Sequence, residues 1–184
     1  MKRKLFLAIL VLLFVIVLLF VGKAFLVEGR KFNIDLSPNN SYLKTISFHG
    51  VSFMCPASWD VRKKVSSMYE ISCEDSSSDV RRSVNFIWMD IEMLPEEWIE
   101  EGLKEAEYKL GTNKASVSSV NNSMFNDIKS KSIDISFYDA DKKVYGKITS
   151  FNFKGNSCIV IMFNDAKIKS DVDFYAIEKS FRVE

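Results

Sequence analysis

The chain has 184 residues, of which 25 are lysine or arginine, 24 are acidic and one is histidine. Four of the basic residues lie before position 24, so the rest of the chain has 21 basic residues against 24 acidic ones, a net charge of about −3. Nucleic-acid binding relies on clustered positive charge that releases counterions. The composition therefore excludes nucleic acid as an expected partner.

An apolar segment near the N-terminus predicts where in the cell the rest of the chain is located. Leu5–Val21 contains no charged or polar side chain and directly follows the basic tetrapeptide Met1-Lys2-Arg3-Lys4. Extended to Val27, the segment is long enough as a helix to cross about 30 Å of hydrocarbon. Positive charge resists translocation, so we predict a single-pass helix with a cytoplasmic N-terminus and an exported C-terminal domain. In this interpretation Leu5–Val27 anchors the chain in the cell membrane.

The alternative is a signal peptide that is cleaved near Ala24, which would leave a secreted protein. Gly22-Lys23-Ala24 offers small residues at the positions that such a cut requires. The apolar run is nevertheless longer than the usual 7–15 residues of a signal peptide, which favours the uncleaved anchor. N-terminal sequencing of the mature protein distinguishes the two.

The remaining residues predict one α+β domain. We divide the chain into an N-terminal stub and anchor (1–27), a linker (28–41) and an exported domain (42–184), which is long enough to bury one sizeable core. Val84–Met93 and Cys158–Phe163 are apolar on both faces, as expected for interior strands with a layer packed on each side. Antiparallel strands at 116–120, 128–138 and 144–153 are expected to complete the sheet, with turns at 121–123 and 154–156. The polar stretch Val61–Ser67 gives no clear pattern.

Two helices are predicted to pack on this sheet. Pro95–Leu110 begins with proline and two glutamates, is followed by Gly111, and places apolar side chains on one stripe. A second helix is expected to start at Ser170, which would act as its N-cap, and to turn Phe174, Ile177 and Phe181 inward.

Candidate catalytic and metal-binding groups are few. His49 is the single histidine, lies beside Gly50 at an apparent strand bend, and is expected to be a turn residue. The glutamates between Glu92 and Glu101 are expected to be solvated. Cys55, Cys73 and Cys158 are expected to be buried; in an oxidising compartment one pair can form a disulfide, but their spacing does not select the pair. We predict no catalytic residue, no metal site and no cofactor.

Three tyrosines, Tyr138, Tyr145 and Tyr175, fall on otherwise polar faces. Exposed tyrosine is favoured at protein interfaces, so these residues are the candidate interaction surface.

The order of elements and three short motifs resemble the PsbP-like superfamily. The motifs are Phe53-Met54-Cys55-Pro56-Ala57-Ser58-Trp59, the helix start Leu94-Pro95-Glu96-Glu97-Trp98, and the closing Ile177-Glu178-Lys179-Ser180-Phe181. The resemblance covers roughly Ile46–Val183 and implies an α/β/α sandwich around an antiparallel sheet. It also implies a non-catalytic role, because most members assemble with or bind other proteins.

We therefore expect an extracytoplasmic domain that binds another protein or takes part in assembly in the cell envelope, without catalysis. The alternative is a carrier or chaperone that binds a lipid or hydrophobic peptide in an apolar pocket formed by Met89, Met93, Phe151 and Phe153. The weakest alternative is a hydrolase that uses His49.

Overall fold

The structure, a computed structural model, describes residues 41–76, 82–111, 115–139, 142–164 and 171–184, all within the unit Ile34–Glu184. The predicted anchor Leu5–Val27 and nearly all of the linker 28–41 lie outside these residues. Within the described ranges, no helix combines the length and the hydropathy needed to cross a membrane.

The described residues form eleven strands and two helices. In chain order they are β1 (Leu43–Phe48), β2 (Val51–Pro56), β3 (Asp60–Val65), β4 (Tyr69–Glu74), β5 (Ser83–Met89), α1 (Pro95–Leu110), β6 (Ser116–Val117), β7 (Asn121–Phe125), β8 (Ile128–Asp139), β9 (Lys142–Phe153), β10 (Asn156–Asn164), α2 (Val172–Ser180) and β11 (Arg182–Val183).

The strands form two antiparallel sheets. The large sheet has the order β3-β4-β5-β10-β9-β8-β6, with β7 also paired to β8, and the small sheet has the order β1-β2-β11. Helix α1 packs against β8, β9 and β10, whereas α2 packs against β2 of the small sheet. The predicted α+β class is confirmed, but the sequence did not indicate that β11 joins β1 and β2 in a separate sheet.

The large sheet is apolar on both faces because a separate core lies on each side. The alternation predicted for β5 and β10 places Val84, Phe86, Cys158 and Val160 in the core shared with the small sheet and α2. Their neighbours in sequence, including Ile87, Ile159 and Ile161, lie in the core under α1. The predicted interior strands are therefore confirmed, although β5 ends at Met89 and Ile91 is 59% exposed.

Helix α1 has the predicted bounds. Pro95 occupies its first turn, and Gly111 closes it in the left-handed conformation with φ of 62°. Its buried side includes Trp98, Ile99 and Ala106, as the apolar stripe predicted. The left-handed φ at position 111 favours glycine, because a Cβ is strained there.

Helix α2 begins at a different residue from the one predicted. Its N-cap is Asp171, whose carboxylate accepts from the backbone N–H groups of Asp173 and Phe174, so the helix starts at Val172. Ser170 lies outside the described residues. Phe174, Ile177 and Phe181 are buried as expected.

One undecided stretch is now assigned, and one predicted turn was wrong. The undecided stretch Val61–Ser67 contributes to β3, an edge strand whose charged side chains are solvated because only β4 pairs with it. The predicted turn at 121–123 is instead part of β7, and the chain reverses at Asn126, which has φ of 51°. Asparagine tolerates that conformation, so the turn forms at Asn126 rather than at Asn121-Asn122.

Candidate functional site

Two of the three tyrosines predicted as a contact surface share one face of the large sheet. Tyr138 on β8 lies opposite Lys143 on β9, and Tyr145 lies opposite Ser136. Residues two apart on a strand share a face, so these four side chains form two adjacent cross-strand rows. Tyr138 is 69% exposed, Tyr145 is half-buried, and Lys143 Nζ lies 5.3 Å from the centre of the Tyr145 ring.

The next row of the same face adds a pair of opposite charges. Asp134 lies opposite Lys147, the first exposed and the second half-buried. Exposed tyrosine is enriched at interfaces, and surrounding charges set the orientation and rate of encounter with a partner. We define the tyrosine face as the six residues of these three rows: Asp134, Ser136, Tyr138, Lys143, Tyr145 and Lys147.

The third predicted tyrosine lies on a neighbouring element. Tyr175 is half-buried in α2. Tyr145 lies opposite Asn164 on β10, and Asn164 Nδ2 donates to Asp171 Oδ2 at 2.6 Å. Because Asp171 is the cap of α2, the tyrosine face adjoins the start of that helix, one turn before Tyr175.

A buried ionic cluster next to this face was missed by sequence reasoning. Arg82 Nη2 donates to both carboxylate oxygens of Asp171 at 3.0 and 2.9 Å and to Asp173 Oδ2 at 2.6 Å, while Nη1 donates to Asp75 Oδ2 at 3.3 Å. The side chains of the three aspartates are 7–9% exposed. Asp75 and Arg82 lie 89 or more residues before Asp171 and Asp173 in the chain, so no local motif indicates the cluster.

The chemistry of the cluster is that of a structural ion network. Burial opposes the charge of Arg82, but hydrogen bonds and charges from Asp173 and Asp171 outweigh burial and raise the pKa of the guanidinium. The Tyr42 hydroxyl donates to Asp173, and the guanidinium lies 5.4 Å from the Trp59 ring. The cluster thus joins the start of α2 to Asp75, which follows β4, to Arg82, which precedes β5, and to Tyr42, which precedes β1.

A second polar site is a groove between α1 and the strands β3 and β4. It comprises two cavities of about 190 and 270 Å³, and Glu70 lies in the wall of both. Lys109 Nζ donates to Glu70 Oε1 at 2.8 Å and to Asn85 Oδ1 at 3.3 Å. Trp98 lines the smaller cavity, and its buried Nε1 has no acceptor among the described residues.

The carboxylate in this groove is held ionised. Burial alone would raise the pKa of Glu70, but the hydrogen bond and charge of Lys109 outweigh burial and lower it. Lys109 also lies 3.4 Å from Glu105, so one ammonium group pairs with two carboxylates at this end of α1. The groove is therefore a mixed polar surface at the edge of the sheet.

His49 lies in a surface turn, as expected. It has φ of 44° and precedes Gly50 in the hairpin between β1 and β2. Its ring stacks on Tyr69 with centroids 4.3 Å apart and contacts Phe48 edge-on at 4.5 Å. Within the described part of the chain, no three His, Cys, Asp or Glu side chains are placed to hold a metal ion.

The residues that motivated a carrier do not line one cavity. Phe151 is fully buried in the core on the side of the small sheet, and Phe153 packs against that core. Met89 and Met93 pack against the other core, under α1. The four side chains therefore lie on opposite sides of the large sheet.

Comparison with known proteins gives a match in fold alone. No protein-family model and no curated protein sequence matches the chain. The solution structure of cyanobacterial PsbP (CyanoP) from Synechocystis sp. PCC 6803 matches with a TM-score of 0.56 and 12% identity, covering 85% of this chain and 100% of that one. The chain has the PsbP-like fold. The predicted resemblance is thus confirmed at the level of architecture, and the PsbP-like fold accounts for the central sheet with layers on both sides.

Proposed function

We propose that the chain is a membrane-anchored module that binds another protein in the cell envelope and has no catalytic role. The apolar run Leu5–Val27 would hold it in the cell membrane with the N-terminus in the cytoplasm, and the residues up to Ser41 would serve as a spacer. The PsbP-like domain would then be exported. Stacking of His49 on Tyr69 in a surface turn supports a role without a histidine-dependent hydrolase site.

The observation that carries this proposal is the tyrosine face. Two adjacent rows place Tyr138 and Tyr145 at diagonal positions, with Lys143 opposite Tyr138 and Lys147 one row beyond Tyr145. Tyrosine contributes a large, stiff contact area together with a hydroxyl that stays hydrogen-bonded at an interface. The two lysines against the single Asp134 favour a partner whose contact surface is acidic at its rim.

Affinity capture from the native envelope tests the proposal. The full chain is compared with Tyr138→Ser and with Tyr108→Ser, which removes a tyrosine that is 84% exposed on α1, away from the tyrosine face. We expect Tyr138→Ser to weaken binding of a specific partner at least tenfold, about 1.4 kcal/mol, as for a tyrosine at the centre of an interface. Tyr108→Ser should leave binding unchanged. Equal binding by both variants would contradict the assignment of this face.

A further inference from the structure

The two sheets pack row on row, and this packing fixes which cysteines meet. In the small sheet Phe48 pairs with Val51, and Phe53 follows two residues later on β2. The Phe48 ring lies 5.8 Å from Trp88, and the Phe53 ring lies 4.4 Å from Phe86 and is stacked on it. The first two rows of the small sheet therefore lie over the first two rows of β4 and β5.

The third row brings two cysteines together. Cys55 lies two residues after Phe53 on β2. Val84 lies two residues before Phe86 on β5 and pairs with Cys73 on β4, and we call this third row, with Cys55 above it, the cysteine row. Cys55 and Cys73 belong to the same core cluster and have no exposed surface. The alternation of side chains along both strands thus points the two thiols at each other across the core.

The two thiols also interact directly. Interaction with the Cys73 side chain lowers the pKa of Cys55 against the opposing effect of burial. The same interaction and burial raise the pKa of Cys73. The two sulfurs are therefore neighbours with unequal acidity.

The third cysteine has no such neighbour. Cys158 on β10 pairs with Trp88, which is four residues along β5 from the Val84 of the cysteine row. At about 3.3 Å per residue this separation is about 13 Å, whereas a disulfide requires Cα atoms within about 7 Å. Burial alone raises the pKa of Cys158.

We propose that Cys55 and Cys73 are a disulfide-forming pair that links the small sheet to the large sheet, and that Cys158 stays a thiol. The expectation that the pair is oxidised in the cell rests on the proposed export of the domain. The pairing itself rests only on the packing of the two sheets.

The reaction is thiol–disulfide exchange with an oxidant that carries a disulfide, such as an oxidoreductase of the exported compartment. The thiolate of one cysteine of the pair attacks one oxidant sulfur and forms a mixed disulfide, and the other oxidant sulfur leaves as a thiol. The sulfur of the second cysteine then attacks the sulfur of the first and releases the remaining oxidant sulfur as a thiol. The two cysteines lose two protons and two electrons, and the oxidant disulfide is reduced to two thiols. Because both cysteines are buried, the reaction takes place before the small sheet packs.

Peptide mapping of the full chain tests the pairing. The purified chain is unfolded, refolded in a mixture of reduced and oxidised glutathione, blocked with N-ethylmaleimide and digested without reduction. We expect a peptide that joins Cys55 to Cys73, lighter by two hydrogens than its two parts, and an alkylated Cys158. Cys158→Ala should keep the joined peptide, whereas Cys73→Ala should lose it without a substitute pair. Absence of a joined peptide in the wild-type chain, or one that contains Cys158, would overturn the proposal.

The same peptide mapping is carried out on chain taken from cells that were treated with N-ethylmaleimide before lysis. This measurement tests the proposed location of the domain separately from the pairing of the cysteines. A Cys55–Cys73 peptide from cells supports both. Free thiols in cells together with the joined peptide after refolding uphold the pair and contradict placement of the domain in an oxidising compartment.

Discussion

Arg82 is the cation at the centre of the buried ionic cluster. Its guanidinium contacts Asp75, Asp171 and Asp173, which come from two separate parts of the chain. A buried carboxylate is costly unless it is paired and hydrogen-bonded. Arg82 therefore compensates charges that would otherwise oppose the packing of α2 onto the sheets.

Replacement of Arg82 by methionine should lower the free energy of unfolding by about 3–5 kcal/mol, because it removes the cation that the buried carboxylates of Asp171 and Asp173 share. Arg62→Met is the matched control, since Arg62 is exposed on the edge strand β3 and should change stability by about 0.5 kcal/mol or less. Urea denaturation measures both. A loss with Arg82→Met no larger than that of the control would show that the cluster does not stabilise the fold.

Tyr42 gives a pH dependence with a definite sign. Burial, and then the hydrogen bond to Asp173, raise its pKa from 10.0 to about 12. The folded state thus favours the neutral phenol. The contribution of Tyr42 to the free energy of unfolding is therefore complete below pH 10 and is lost as the pH rises through about 12. The difference in unfolding free energy between the wild type and Tyr42→Phe should shrink over this range. A difference for Tyr42→Phe that stays constant over this range would refute this account.

At the scale of elements, helix α1 approaches the large sheet closely at Gly102. A Cβ built at this position would lie 2.9 Å from the Cγ2 methyl of Ile148 and 2.9 Å from that of Ile159. Both isoleucines are buried, and their β-branched side chains have little freedom to move aside. The glycine is therefore required by close packing of the helix on the strands.

Gly102→Ala should destabilise the domain by about 1 kcal/mol. Alanine gains about 1 kcal/mol of helix propensity over glycine, but overpacking of a rigid core costs about 1–3 kcal/mol. Glu100→Ala, at an exposed position of α1, should change stability by about 0.5 kcal/mol or less. Thermal unfolding of both variants decides between the two effects. An increase in stability for Gly102→Ala would mean that the helix shifts away from the sheet at low cost.

The elements that could be predicted are those with a strong local signal. The two-sided alternation of β5 and β10 and the proline and glycine that bound α1 were enough to place those elements. The edge strand β3 could not be recognised, because a strand with solvated charges on both sides has no hydrophobic period. The cap of α2 was misplaced by one residue, because serine and aspartate are both favoured N-caps and the additional contact of Asp171 with Arg82 leaves no local signal in the sequence.

The candidate site was predictable only in part. Tyr138 and Tyr145 could be assigned to polar faces from the alternation alone, but their adjacency follows from the register of β8 and β9. The pairing of Cys55 with Cys73 likewise depends on how two separate sheets stack. Contacts between distant parts of the chain carry no local pattern, so only the structure assigns them.

For the whole molecule, the layers packed on the large sheet determine which of its surfaces stay exposed. The small sheet and α2 cover Val84, Phe86 and Val160 on one side of the large sheet, while α1 covers the other side. Tyr138 near the end of β8 is 69% exposed, and Lys143 opposite it on β9 is also exposed. A domain held at the membrane would present this surface to an envelope protein.

Site-specific photo-crosslinking in the intact envelope tests this central claim most directly. Tyr138→p-benzoylphenylalanine and, as the control, Tyr108→p-benzoylphenylalanine are each introduced into the full chain. The account predicts that irradiation joins the chain to one discrete protein from position 138 and not from position 108. Identical products from both positions, or no protein adduct from position 138, would contradict it.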